Sequence, residues 1–146
     1  MYVIKAEVQD LSADVFEFAR QKTMYGGKHI AMGDLVFLFA SENEGGQGLF
    51  GRGVVISAEA IARKVGVERQ TPRVSVAIRR TALATRRLGR SELIPFRNWG
   101  DGRPETELNF KFYRQATNKI GGVSAEVAEF LNGCFQRGGL STPSSR

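Results

Sequence analysis

Residues 28–58 read KHIAMGDLVFLFASENEGGQGLFGRGVVISA, and what this stretch forms decides the fold. Inside it GQGLFG (46–51) satisfies G-x-G-x-x-G, the glycine pattern that brings a backbone close to a pyrophosphate. That chemistry needs a strand before the glycines and a helix after them, so that the helix N-terminus faces the anion. GDLVFLFAS (33–41) is a good strand. The segment after the glycines, however, carries Val54, Val55 and Ile56 in succession with no N-cap and no 3.6-residue period, which is a second strand. Glu42 and Glu44 in the connection would repel a phosphate. The stretch therefore reads as a hairpin, with strands over about 34–40 and 49–58. Gly46 and Gly48 release the turn, and Gly51 and Gly53 thin the second strand where another backbone approaches.

Outward from the hairpin, MYVIKAEV (1–8) alternates as a first strand. LSADVFEFARQK (11–22) predicts a helix capped by Ser12, with Val15, Phe16, Phe18 and Ala19 on its apolar face. TMYGGKHIAM is a loop, and AEAIARKVGVERQTP begins as a helical turn that Pro72 ends. Val74, Val76 and Ile78 recur at period two in RVSVAIRRTALA, a half-buried strand. The next two dozen residues are irregular, apart from a helical turn at SELI. FKFYRQA reads as a short last strand, which sends Tyr113 to the core, and SAEVAEFLNGCF as a helix capped by Ser124, with Cys134 on its buried side and Gly138-Gly139 beyond it. Four or five strands bracketed by helices give an α+β fold on a small, mixed but mostly antiparallel barrel, since closure leaves no strand edge exposed. Residues 1–138 are expected to form a single domain, with 139–146 a disordered tail.

The composition, with 42% hydrophobic residues, is that of an ordinary globular chain. One cysteine and one histidine exclude a disulfide framework and a cysteine- or histidine-based metal cluster, so no cofactor or metal is expected. The N-terminus lacks the long apolar region of a signal peptide, and no stretch approaches a membrane span. A soluble, cytoplasmic protein is the expectation. The formal charge of +6 is unevenly placed: residues 1–60 hold five Lys or Arg against eight Asp or Glu, whereas the remainder holds sixteen against seven. The densest run, residues 73–97, places Arg73, Arg79, Arg80, Arg86, Arg87, Arg90 and Arg97 against Glu92 alone. Arginine matches phosphate bidentately, so the run points to a polyanionic partner, RNA or DNA; a solvated solubility face is the alternative.

Gly33, Asp34, the apolar run from Leu35 to Phe39, and then Gly51, Gly53, Val54 and Val55 resemble the G-D-apolar strand and following hairpin of the PUA-like superfamily, closest to its EVE and ASCH branches. The chain opens without the tryptophan that often begins EVE domains. The resemblance implies a pseudo-barrel that binds nucleic acid, in several branches by holding a modified base in an aromatic-lined pocket. On that reading Trp99, Tyr25 and Phe96 supply stacking, Asn98, Asn118 and Ser41 supply hydrogen bonds, and the arginines hold phosphates. Trp99 lies in the glycine-bounded loop FRNWGDG, where a lid role and satellite packing are equal alternatives. His29 reads as a satisfied or solvated histidine. Asn118 and Lys119 precede Gly121-Gly122 and a helix N-terminus, so Lys119 and backbone amides can converge on an anion, or the segment is a plain loop. The ASCH resemblance also implies a second possibility, a small amide hydrolase or ribonuclease with Thr117, Lys119 and Glu126 as nucleophile, base and acid.

Overall fold

The computed structural model describes residues 1–67, 69–114 and 117–135. Six strands close a barrel: β1 (Tyr2–Ala6), β2 (Val15–Met24), β3 (Leu35–Ala40), β4 (Gly48–Ala60), β5 (Arg73–Leu83) and β6 (Lys119–Gly122). Around the barrel they run β1-β3-β4-β5-β2-β6 and back to β1. Two contacts are parallel, β1 with β3 and β2 with β6, and the other four are antiparallel. The mixed barrel expected from the sequence is thus the fold, and no strand in it has a free edge.

Strand β3 shows why the opening stretch is decisive. Alternate residues of a strand face opposite ways, so a strand buried on both faces must be apolar throughout. Val36 and Leu38 point into the barrel with Ile4, Val55, Ile78 and Ile120, while Phe37 and Phe39 point outward. There they meet a helical layer of α1 (Arg90–Leu93), α2 (Pro104–Leu108) and α3 (Ala125–Asn132), through Leu93, Leu108, Phe112 and Leu131. The β3–β4 hairpin pairs Leu35 with Val54 and Ala40 with Gly48. Gly48 turns at φ +85°, and a Cβ on Gly53 would stand 2.5 Å from the Arg79 carbonyl oxygen, so the strand-thinning glycine admits β5.

Four expectations are corrected. Residues 15–24 form a strand, not a helix: Phe16 and Phe18 are buried while Val15 and Glu17 are exposed, and Ser12 closes an Asx turn on Asp10 instead of capping. The strand bulges between Phe18 and Gln21, where Arg20 takes φ 52°. No helical turn follows residue 58, because β4 continues to Ala60 and the chain then turns at Val65-Gly66. FKFYR (110–114) is not a strand, and Gln115 and Ala116 of that stretch lie outside the described residues. Pro104 at the first position and Glu105 and Glu107 in the first turn start α2, which continues as a π-helical turn, Asn109–Tyr113. Leu108, Asn109, Phe112 and Tyr113 form its buried side. The last strand is instead β6, which closes the barrel between β1 and β2.

Ser124 caps α3 as expected, accepting from the Val127 amide at 3.2 Å, and Cys134 is fully buried. The helix ends at Asn132; Gly138-Gly139 and the tail fall outside the described residues. Among the described residues no helix is long and apolar enough to cross a membrane.

Candidate nucleic-acid interface

Where β1 begins and β6 ends, an open cleft of about 730 Å³ lies between the barrel and α2. Its walls come from distant parts of the chain. Tyr2 opens β1, Tyr25 precedes and His29 ends the tight turn Gly27–His29, Trp99 stands on the turn Trp99–Asp101, Arg103 sits at the N-cap of α2, and Glu107 and Lys111 belong to α2 and its π-helical extension. Tyr25 adopts φ 53°, a conformation disfavoured for a side chain with Cβ, and its carbonyl accepts from the Gly122 amide at 3.1 Å. That bond ties the turn to β6.

Trp99 is 67% exposed. One side of its ring meets Phe110 with centroids 4.7 Å apart, and the Arg114 guanidinium covers Phe110 in turn at 4.7 Å. The turn beneath is fixed by Asn98, whose side chain accepts from the Gly100 amide, and by Asp101, which accepts from the Arg103 amide at 2.9 Å and the Thr106 hydroxyl at 2.9 Å. An exposed indole on so braced a turn is a preorganised stacking surface.

The polar floor is a closed network. Glu107 accepts from the Ser124 hydroxyl at 2.6 Å, the Ser124 amide at 2.9 Å and the Lys111 ammonium at 3.0 Å. Burial works against the charge of Glu107, but the Ser124 and Lys111 bonds outweigh it and hold its carboxyl below the usual value. Lys111 also donates to the Gly122 carbonyl at 2.9 Å and lies 5.1 Å from the centre of the Tyr25 ring. An ammonium has three donors, so Lys111 retains one for a ligand edge beside that ring.

Of the residues singled out in the sequence, Tyr25 and Trp99 share the cleft. Asn98 supports the Trp99 turn, and Phe96 lies under the Arg103 guanidinium at 4.9 Å, neither lining the cleft. Ser41 is sealed at the end of β3, 1% exposed, its amide bonded to the Ala6 carbonyl. Asn118 and Thr117 line a different cleft with Arg20, Lys22 and Arg73. Lys119 is 1% exposed and packs over the Phe112 ring at 5.7 Å, so burial removes it from any surface phosphate. Glu126 is exposed on the first turn of α3, and no hydrogen bond or ion pair joins Thr117, Lys119 and Glu126.

The arginine run is contiguous in sequence but spread in space. Arg80 is spent on Asp14, with Nη2 3.1 Å from Oδ1, and Arg97 donates to the Ile94 carbonyl. Arg79, Arg86, Arg87 and Arg90 are exposed, and Arg73 stands at the opposite end of β5. None of the seven lines the Tyr25–Trp99 cleft. Tyr2, His29, Glu107, Lys111 and Ser124 do line it, and sequence reasoning missed them as site residues. Pro104 followed by two acids was the available signal for the helix that carries Glu107 and Lys111.

Comparison with solved structures finds similar folds. The DUF55 domain of human thymocyte nuclear protein 1 superposes with a TM-score of 0.60 at 12% identity, over 90% of this chain and 96% of that one. The likeness is one of fold, the closed mixed barrel described above. The human THYN1 protein in complex with 5-methylcytosine-containing DNA matches this barrel with a TM-score of 0.63 at 14% identity, over 90% and 95% of the two chains. A hypothetical protein from Leishmania major matches at 0.55 and 17% identity, over 90% and 92%. No protein-family model and no curated protein sequence matches the chain.

Proposed function

We propose that this PUA-like barrel is a nucleic-acid-binding domain that takes a flipped or modified base into the Tyr25–Trp99 cleft. The observation that carries the reading is the cleft itself: about 730 Å³, walled by an exposed, braced indole and a tyrosine with an ammonium beside it. That volume falls within the range of sites that take small planar ligands. Extruding a base costs a few kcal/mol, which stacking on Trp99 and Tyr25 and edge hydrogen bonds from Lys111 return. Support comes from the similarly folded human THYN1 protein, which is in complex with 5-methylcytosine-containing DNA, and from the net charge of +6. The partner is DNA or RNA, and surface cations hold its phosphates.

Trp99 is the chain's one tryptophan, so its fluorescence reports the cleft directly. The test titrates the protein with single-stranded DNA and RNA oligonucleotides that differ by one cytosine or 5-methylcytosine. Binding should quench the indole. Base stacking is worth about 1–3 kcal/mol, so Trp99→Ala should weaken affinity about fivefold to a hundredfold while Trp99→Phe retains most of it. Unchanged affinity in Trp99→Ala, or no binding at low salt, refutes the proposal.

A further inference from the structure

A second depression, of about 810 Å³, lies between the β4–β5 loop (residues 61–72) and the turn Gly27–His29. Its floor is apolar, with Ile61, Val67, Pro72 and Val74 among its residues, and its rim carries Arg20, Lys28, Lys64 and Arg73. Arg63 lines it too, and no Asp or Glu does among the described residues. Among the described residues its charges are all positive, unlike the cleft, where Glu107 offsets Lys111; the loop's one acid, Glu68, lies outside the described residues.

Three features of the backbone prepare it. The β2 bulge holds Arg20 at φ 52°, and the Arg20 carbonyl accepts from Arg73 Nη1 at 2.7 Å. The Gln70 side chain staples the loop across its own neck: its oxygen accepts from the Lys64 amide at 2.8 Å, and its nitrogen donates to the Lys64 and Val67 carbonyls at 2.8 and 3.0 Å. Pro72 is anchored through its carbonyl to the Thr23 amide and hydroxyl, at 3.0 and 2.7 Å. A loop of this length gains little from burial, so its order rests on these bonds.

His29 lines both the cleft and this groove. The two concavities thus adjoin at His29, which gives a strand whose base occupies the cleft a path into the groove. We propose that the groove is the phosphate track of a single nucleic-acid strand flanking the bound base, with Lys28, Lys64, Arg20 and Arg73 on the phosphates. The inference rests on the base-binding reading above and relocates the phosphate contacts from the arginine run of residues 79–90 to the opposite end of β5.

The test measures affinity against salt for a short fluorescein-labelled single-stranded DNA, comparing the native chain with Lys28→Gln/Lys64→Gln and Arg86→Gln/Arg87→Gln. All four side chains are exposed. Each lost phosphate contact should reduce the slope of log K against log salt by about 0.7 for a single strand. The expected result is a shallower slope in the lysine pair, indole quenching preserved at saturation, and a native slope in the arginine pair. A native slope in the lysine pair with a shallower one in the arginine pair overturns the assignment and leaves the base cleft standing. If the native chain binds no oligonucleotide, the base reading fails, and an abasic deoxyribose-phosphate oligomer decides the groove by nuclear magnetic resonance. Shifts at the Lys28 and Lys64 amides support it, and their absence overturns it.

Discussion

Replacing Lys5 with methionine should flatten the rise of stability with pH in the alkaline range. Lys5 is 3% exposed, under the helical layer, where its ammonium donates to the Phe112 carbonyl at 2.6 Å and lies 4.8 Å from the centre of the Tyr113 ring. That carbonyl belongs to the last turn of the π-helical segment, where main-chain acceptors lack helical partners. Burial, then repulsion from Lys119 directly across the β1–β6 ladder, lowers its pKa from 10.5 to about 8, with Glu42 opposing. Between those values the unfolded chain binds more protons than the folded one, so stability increases as pH climbs from about 8 to 10.5. That interval corresponds to about 3 kcal/mol. Methionine removes the titration but leaves the Phe112 carbonyl unpaired, at about 1–3 kcal/mol. Near neutral pH the two effects oppose and the variants should differ little. Urea denaturation across the range should then show the native protein gaining on Lys5→Met by up to about 3 kcal/mol as pH rises. Parallel curves would mean that Lys5 folds without a proton cost, and would refute the reasoning.

Ser124→Ala removes both the α3 cap and the 2.6 Å bond to Glu107 and should cost about 1–2 kcal/mol by urea denaturation. Gly53→Ala sets a methyl 2.5 Å from the Arg79 carbonyl oxygen and should cost about 1–3 kcal/mol, whereas Gly100→Ala, whose nearest neighbour is 3.9 Å away, should lie within about 0.5 kcal/mol of the native chain. Because the folded Glu107 carboxyl is held below its ordinary value of 4.5, its contribution is complete above that pH and fades as pH falls toward the folded value. The urea midpoints of the native chain and Glu107→Gln should therefore converge on acidification, and a constant gap would contradict the network.

The β3–β4 hairpin and β5 were legible because each carries its own evidence, an apolar run ended by glycines and a period-two face. VFEFA was ambiguous: positions 15, 16, 18 and 19 fit one face of a helix, while 16 and 18 alone fit a strand, and only pairing with β5 decides. Strand β6 has almost no local signal, since two of its four residues are glycine and its partners on both sides make it a strand. The same division holds at the site. Trp99 and Tyr25 stood out because large aromatics beside glycines in a loop are rarely core. Glu107, Lys111 and Ser124 derive their role from meeting across a helix and a strand end, which no window of sequence displays. The arginine run is contiguous in sequence, yet the structure sets Arg73 at the far end of β5 from Arg79 and Arg80.

The position of β6 also governs how the molecule is made. Its neighbours β1 and β2 leave the ribosome first, yet the seam between them waits for residues 119–122. Without β6 the other five strands can make only an open sheet, with β1 and β2 as its edges. Closure waits for β6, so any truncation before Gly122 leaves two strand edges able to recruit a neighbouring chain.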